Sequence, residues 1–289
     1  MPTKTTKPNR KTKLIGRSRS ILKPSSPPIS LSEGPHFRIT SQPDLYPLKL
    51  SWANWSDPNW VRTGKIVLTA FIEYTDHRRN DRTETKTIKT DEFKASITFT
   101  EMLGGQLKVH MSFPIRHVRT GATTNVTGDY LYRIGGDNPS KSNIKGELGS
   151  ITLQVIAYKE SRFRQFASDY YPLFGPPNGF GIMQIDNPPP TAKQIWNWKE
   201  NVKAGKKLLK TKEKEIKAIY KRIASDNGAP NLSTGQLKYA LYQYYNGGLY
   251  WGWDRTSMNW VRNDTNGYGD DAVELEERVT AGNPPNDWN

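Results

Sequence analysis

Two stretches decide how this chain is read: Ala157-Tyr158-Lys159-Glu160-Ser161 and Asn178-Gly179-Phe180-Gly181-Ile182-Met183-Gln184-Ile185-Asp186. Upstream of the first, Ile144, Leu148, Ile151 and Val155 recur at four-three-four spacing, the apolar stripe of one amphipathic helix. That helix carries Glu160 to its C-terminal end. There the negative end of the helix dipole and the apolar neighbours Phe163 and Phe166 disfavour ionisation of the carboxyl. A carboxyl kept protonated near neutral pH is what a general acid requires. The second stretch reads as a glycine-rich extended segment. Its small residues let a polymer approach the backbone, and Gln184 and Asp186 offer polar side chains at alternate positions.

Glu160-Ser161, then Gly181-Ile182-Met183-Gln184, Asn201-Val202-Lys203-Ala204-Gly205 and Tyr245-Asn246-Gly247-Gly248, in that order, resemble the lytic transglycosylase and goose-type lysozyme group. These are peptidoglycan-cleaving enzymes with a helical lysozyme-like fold, and the resemblance covers about residues 138–280. The string from Asn178 to Asp186 is more similar to the goose-type lysozymes. The resemblance implies that Glu160 protonates the β-1,4 bond between N-acetylmuramic acid and N-acetylglucosamine. Hydrolysis with inversion then needs a second carboxylate, roughly 6.5–9.5 Å away, to activate water. In a transglycosylase the muramoyl 6-hydroxyl attacks instead, leaving 1,6-anhydromuramoyl ends. Asp186 matches the acid that ends the goose-type motif. The family's other aspartate falls on Gly175, which is not acidic, so Asp169 is the nearby candidate if the loop has a different length. The resemblance also implies supporting places for Ser161 (hydrogen bonding), Met183 (packing at the cleft floor), Gln184 (an N-acetyl group), Tyr245 and Asn246 (the glycan groove) and Tyr268 (beside the catalytic carboxyl). Gly205 would mark a close helix contact.

The 289 residues allow two domains and a sizeable core. A net charge of +14 favours polyanionic partners, and nucleic acid, anionic lipid and the bacterial wall all qualify. With no cysteine there is neither a disulfide framework nor a thiolate site. His36, His77, His110 and His117 show no ligand spacing, so neither a metal nor any other cofactor is expected. His110 and His117 read as sheet-surface residues. No apolar run is long enough to span a membrane, and the basic N-terminus lacks the apolar core of a secretory signal. The expected route is therefore synthesis in the cytoplasm and action in the periplasm or cell wall after delivery by a secretion apparatus or a phage lysis system. An effector of that kind implies a cognate immunity protein or a delivery component as partner. Two other classes compete: a non-catalytic wall-binding or phage-tail structural module, and a nucleic-acid binder suggested by charge alone and not expected to be specific.

Along the chain, residues 1–46 carry Lys4, Lys7, Arg10, Lys11, Lys13, Arg17, Arg19 and Lys23 with no acid before Glu33, and read as a disordered basic tail. From 47 to 135 the period changes to two. The runs 65–74, 95–100, 106–113 and 130–134 read as strands, with a hairpin turn at Gly104-Gly105 and further turns at Thr120-Gly121 and Thr127-Gly128-Asp129. This predicts a small β-sandwich, immunoglobulin-like in general form. Trp52, Trp55 and Trp60 fill a core edge there. Residues 136–289 form the lysozyme-like catalytic domain, with one long helix from about Ala192 to Ala224 on which Lys212 to Lys217 make a solvated face. Tyr242, Tyr244, Tyr245, Tyr250, Trp251 and Trp253 supply the flat faces that an aminosugar groove needs. The expected fold class is thus α+β and multidomain, a β-sandwich-like domain followed by an all-α one.

Overall fold

A computed structural model describes residues 24–31, 36–39, 47–75, 80–82, 85–99, 104–263 and 266–289. Strand formation follows alternation. Along β5 (Ile66–Thr75) the side chains of Ile66, Leu68, Ala70, Ile72 and Tyr74 turn inward; along β9 (Gly105–His117) those of Leu107, Val109, Met111, Phe113 and Ile115 do the same. With β10 (Thr123–Gly136), β2 (His36–Ile39), β4 (Trp60–Arg62), β6 (Asn80–Arg82) and β7 (Lys86–Thr90) they make a seven-stranded mixed sheet. Within it β2 runs parallel to β10 and the other pairs are antiparallel. A second sheet of β1 (Ile29–Leu31), β3 (Leu48–Trp52) and β8 (Lys94–Ile97) contributes Leu31, Leu50 and Ile97 to the same core. Trp52 and Trp60 are buried in it, and Trp55 stacks edge-on against Phe113.

Several expectations for this half are corrected. Ile29–Leu31 and His36–Ile39 are built into the sheets rather than into a disordered tail, and just before them Ser26 and Pro27 receive the Tyr130 hydroxyl. Residues 1–23, 32–35 and 40–46 of that expected tail, and His77, lie outside the described residues. Gly104-Gly105 is not a hairpin turn, because β8 pairs with β3 while β9 pairs with β4, β5 and β10. Thr127-Gly128-Asp129 lies mid-strand opposite Ser112, Met111 and His110. His117 points inward, its Nδ1 meeting Thr120, whereas His110 faces outward onto Asp129 at 2.8 Å.

The remainder contains α1 (Lys141–Leu148), α2 (Ile151–Ser161), α3 (Ala192–Trp196), α4 (Trp198–Asn227), α5 (Thr234–Tyr245) and α6 (Tyr268–Thr280). Two short hairpins interrupt the helices, β11 (Phe174–Gly175) with β12 (Gly179–Phe180), and β13 (Trp251–Asp254) with β14 (Asn259–Arg262). The four-three-four stripe is two helices, not one. Gly149, at φ 79°, closes α1, and the Ser150 hydroxyl caps α2 by accepting from the Leu153 amide. Asn197 likewise splits the expected long helix, since its side chain accepts from Lys199 and Glu200 to start α4.

The fold class is not a β domain followed by an all-α domain. The sheet is mixed, strands recur among the helices, and the sheet's hydrophobic core runs on through Phe166, Phe180, Ile195 and Trp196. A β-carbon on Gly104 would lie 2.2 Å from the Trp196 ring, and one on Gly136 2.2 Å from the Phe166 ring. Glycine at both positions lets sheet backbone meet aromatic faces from the helical part directly, and such a seam leaves no sign in strand or helix periodicity. Among the described residues no helix is long and apolar enough to cross a membrane.

Candidate active site

The cleft is assembled around the end of α2. This helix is buried on most of its circumference (Leu153, Val155, Ile156, Ala157 and Tyr158), so it runs through the helical core rather than along it. It stops because Arg162 takes a left-handed conformation, φ 56°, and returns its amide to Ala157 and Tyr158. Glu160 is thereby fixed at the floor of a cleft of about 160 Å³ lined by Gly175, Pro177, Gln184, Asp186, Leu208 and Asn246, among others.

Opposite Glu160, Gly181–Gln184 is a tight turn rather than an extended segment. Gln184, at φ 45°, donates its amide to Gly181 O, and Phe180 and Ile185 bridge across the turn. Buried polar side chains hold it. The Asn201 side chain accepts from the Met183 amide at 2.9 Å and donates to Phe180 O; Gln165 accepts from the Ile182 amide and donates to Ile195 O. The Ser161 hydroxyl lies 2.8 Å from Ile182 O, and the Tyr245 hydroxyl donates to Met183 O at 2.9 Å. Every one of these bonds is shielded from water, so each unmet partner would cost free energy.

Burial raises the pKa of the Glu160 carboxyl above its ordinary value. A hydrogen bond from the Tyr268 hydroxyl, 2.6 Å from Oε1, opposes this; the Asp186 charge adds to the rise; Lys159 and Lys212 oppose it. Tyr268 and Tyr245 are held well above the ordinary phenol range, first by burial and then by the neighbouring Glu160, so both remain donors. With Tyr268 donating to Oε1, the proton of a neutral Glu160 belongs on Oε2. Two groups fix Tyr268: its amide donates to Asn266, and Lys159 sits 4.6 Å from its ring centre while paired with Asp271. Asn266 also donates to the Asn246 side chain.

The expected site residues thus separate. Glu160, Asp186, Gln184, Tyr245 and Asn246 line one cleft, and Tyr268 touches Glu160 from behind. Met183 is wholly buried, packed against Gly205, where a β-carbon would lie 2.4 Å from its Cγ. Ser161 is buried and turned to the turn's backbone; Tyr245 lines the cleft, but its hydroxyl is turned inward to Met183. Asp169 does not join the site. It is exposed, its carboxylate accepts from the Tyr171 amide two residues on, and its carbonyl is held by Arg133 on the sheet side. At 175 a β-carbon would lie 2.0 Å from Gln184 Oε1, so a side chain there would displace the end of the Gln184 side chain from its place in the cleft lining. Asp186 is left as the acid sharing the cleft lining with Glu160.

Sequence reading missed Lys212. Rather than belonging to a solvated face, its ammonium is half-buried and donates to Tyr244 O and Tyr245 O at 3.0 and 3.2 Å, capping the end of α5 where the cleft begins. Burial lowers its pKa, with the charges of Asp186, Glu215 and Glu160 opposing. It also missed Gln165, Asn266 and Gln243, which donates to the Asn266 side chain and accepts from the Gly269 amide. Their roles arise from partners far along the chain, so local spacing carries no signal for them.

Comparison with protein-family models, with curated proteins and with solved structures gave no match for this chain.

Proposed function

We propose that the chain is a glycoside hydrolase of the muramidase type, cutting the bond between N-acetylmuramic acid and N-acetylglucosamine in peptidoglycan. The observation that carries this reading is a half-buried carboxyl in an open cleft, braced by a phenol 2.6 Å away and sharing its lining with a second carboxylate. Two carboxyls in unlike environments divide acid and base work between them. Glu160 gives its proton to the glycosidic oxygen as the bond to the anomeric carbon breaks. The charge developing on the ring is oxocarbenium-like. Asp186 takes a proton from a water whose oxygen bonds to that carbon, and solvent exchange resets both groups. Gln184 and Asn246 offer amide edges to the N-acetyl groups, and delivery to the wall as a lysin or an antibacterial effector accords with this activity.

A lytic transglycosylase is the second reading. The observation in its favour is that residue 175 is glycine and Asp169 is turned away, so Asp186 is the one acid besides Glu160 in the cleft lining. Mass spectrometry of fragments released from purified peptidoglycan separates the two. Reducing muramoyl ends from the wild type, and none from Glu160→Gln, are expected. Anhydromuramoyl ends would select transglycosylation. Release by neither protein would remove the enzymatic reading and favour a wall-binding module.

A further inference from the structure

The core side of α4 is apolar, with Val202, Leu209, Ile216, Tyr220 and Ala224 buried. On another side Lys203, Lys207, Lys210, Lys214, Lys217 and Lys221 are all exposed, at spacings of four, three, four, three and four. At 3.6 residues per turn these six fall in one band roughly 60–80° wide, and at 1.5 Å per residue the band is about 27 Å long. Glu200, Glu213 and Glu215 project to either side of it. Lys203 and Lys217 are drawn to Glu200 and Glu213, at 3.9 and 2.6 Å; the other four have no ion pair among the described residues. A row of like charges at these spacings is self-repelling, so it contributes nothing to helix stability. α6, with Asp270, Asp271, Glu274, Glu276 and Glu277, has the opposite composition.

We propose that this lysine row is a binding track for a linear phosphodiester polymer that carries no bases, such as a polyol-phosphate chain. Charge complementarity selects a polyanion, and the straight single file fits one extended strand rather than a duplex. The other exposed residues from 203 to 225 are Thr211, Glu215, Ala218, Arg222 and Ser225. None is aromatic, so the face lacks the stacking platforms by which single-stranded nucleic acid is held. None is a large apolar residue either, so the face has no wedge for a lipid surface. Phosphate is the feature of a partner that this row can read. The inference is independent of the chemistry in the cleft.

The test uses the full chain and a labelled synthetic poly(glycerol phosphate) long enough to cover the row. Substituting Lys207, Lys210, Lys214 and Lys221 together by Gln is expected to weaken binding at least tenfold. The slope of log affinity against log salt should fall by about 3, from four contacts at roughly 0.7 each. Substituting the same four by Arg should restore binding, which separates charge from folding. Lys4, Lys7, Lys11 and Lys13 replaced by Gln form the control, with equal loss of charge elsewhere. Equal weakening in that control would overturn the proposal in favour of net charge. Tighter binding to a thymidine oligonucleotide of equal charge, or to phosphatidylglycerol vesicles, would overturn it in favour of those partners.

Discussion

The sheet and the helical region are filled by different rules. Among the described residues the buried polar side chains are His117, Ser161, Gln165, Asn201, Gln243 and Glu276, and all but His117 belong to the helical region. The sheet buries alternate apolar residues and leaves polar ones outside, an arrangement whose product is stability. In the helical region buried amides and hydroxyls face specific backbone groups, and what they fix is the shape of the turn at Gly181–Gln184 and, through Gln243, the Gly269 amide at the start of α6. Burial without a partner would be costly; burial with one holds a cleft to a single geometry.

Five substitutions sharpen or break that contrast. Glu160→Gln has the largest expected effect, a loss of about 10³ in cleavage rate, as for removal of a general acid. Its signature in stability has a definite sign. The folded carboxyl binds its proton more tightly than the unfolded one, so wild-type stability falls as pH rises from the ordinary carboxylate value to the raised one. Thermal melts against pH should show that slope in wild type and not in the variant.

Next come Leu107→Ala in the sheet and Asn201→Ala beside the turn, each expected to cost about 3 kcal/mol. Denaturant titration gives both losses. Assays under folded conditions should separate them, with activity per folded molecule kept by the first and reduced by the second. Equal retention would break the contrast. Tyr268→Phe is expected to slow cleavage about tenfold, the scale of one hydrogen bond to a charged group. Because the Tyr268 bond lowers the Glu160 pKa, its removal should move the alkaline limb of the pH–rate profile upward. The smallest effect belongs to Lys212→Met. The end of α5 loses two carbonyl partners, about 1 kcal/mol in chemical denaturation, and the same limb moves up because a cation near Glu160 is gone.

What sequence made legible follows the same division. Strands β5 and β9 are visible because period-two burial is written locally in Ile66 to Tyr74 and Leu107 to Ile115. Their partners are not, since β2 joins β10 across about a hundred residues and nothing near Gly104 tells a seam from a hairpin. Glu160, Gln184, Asp186 and Asn246, far apart in the sequence, line one cleft, and Tyr268 meets Glu160 from behind it. Asp169 was misplaced because loop length does not reveal direction. Lys212 was misread because its neighbours Lys214, Glu215 and Lys217 are solvated and a single inward turn of the helix is invisible in composition.

The rings of Phe166 and Trp196, lying on the bare backbone of Gly136 and Gly104, have a consequence for how the molecule comes apart. The helical half supplies part of the sheet's interior, so the sheet cannot keep its core once the helical half has melted. Calorimetry should record one endotherm, and proteolysis should yield no long-lived half. A loosened sheet would be felt at the cleft as fewer folded molecules rather than as a cleft of altered shape.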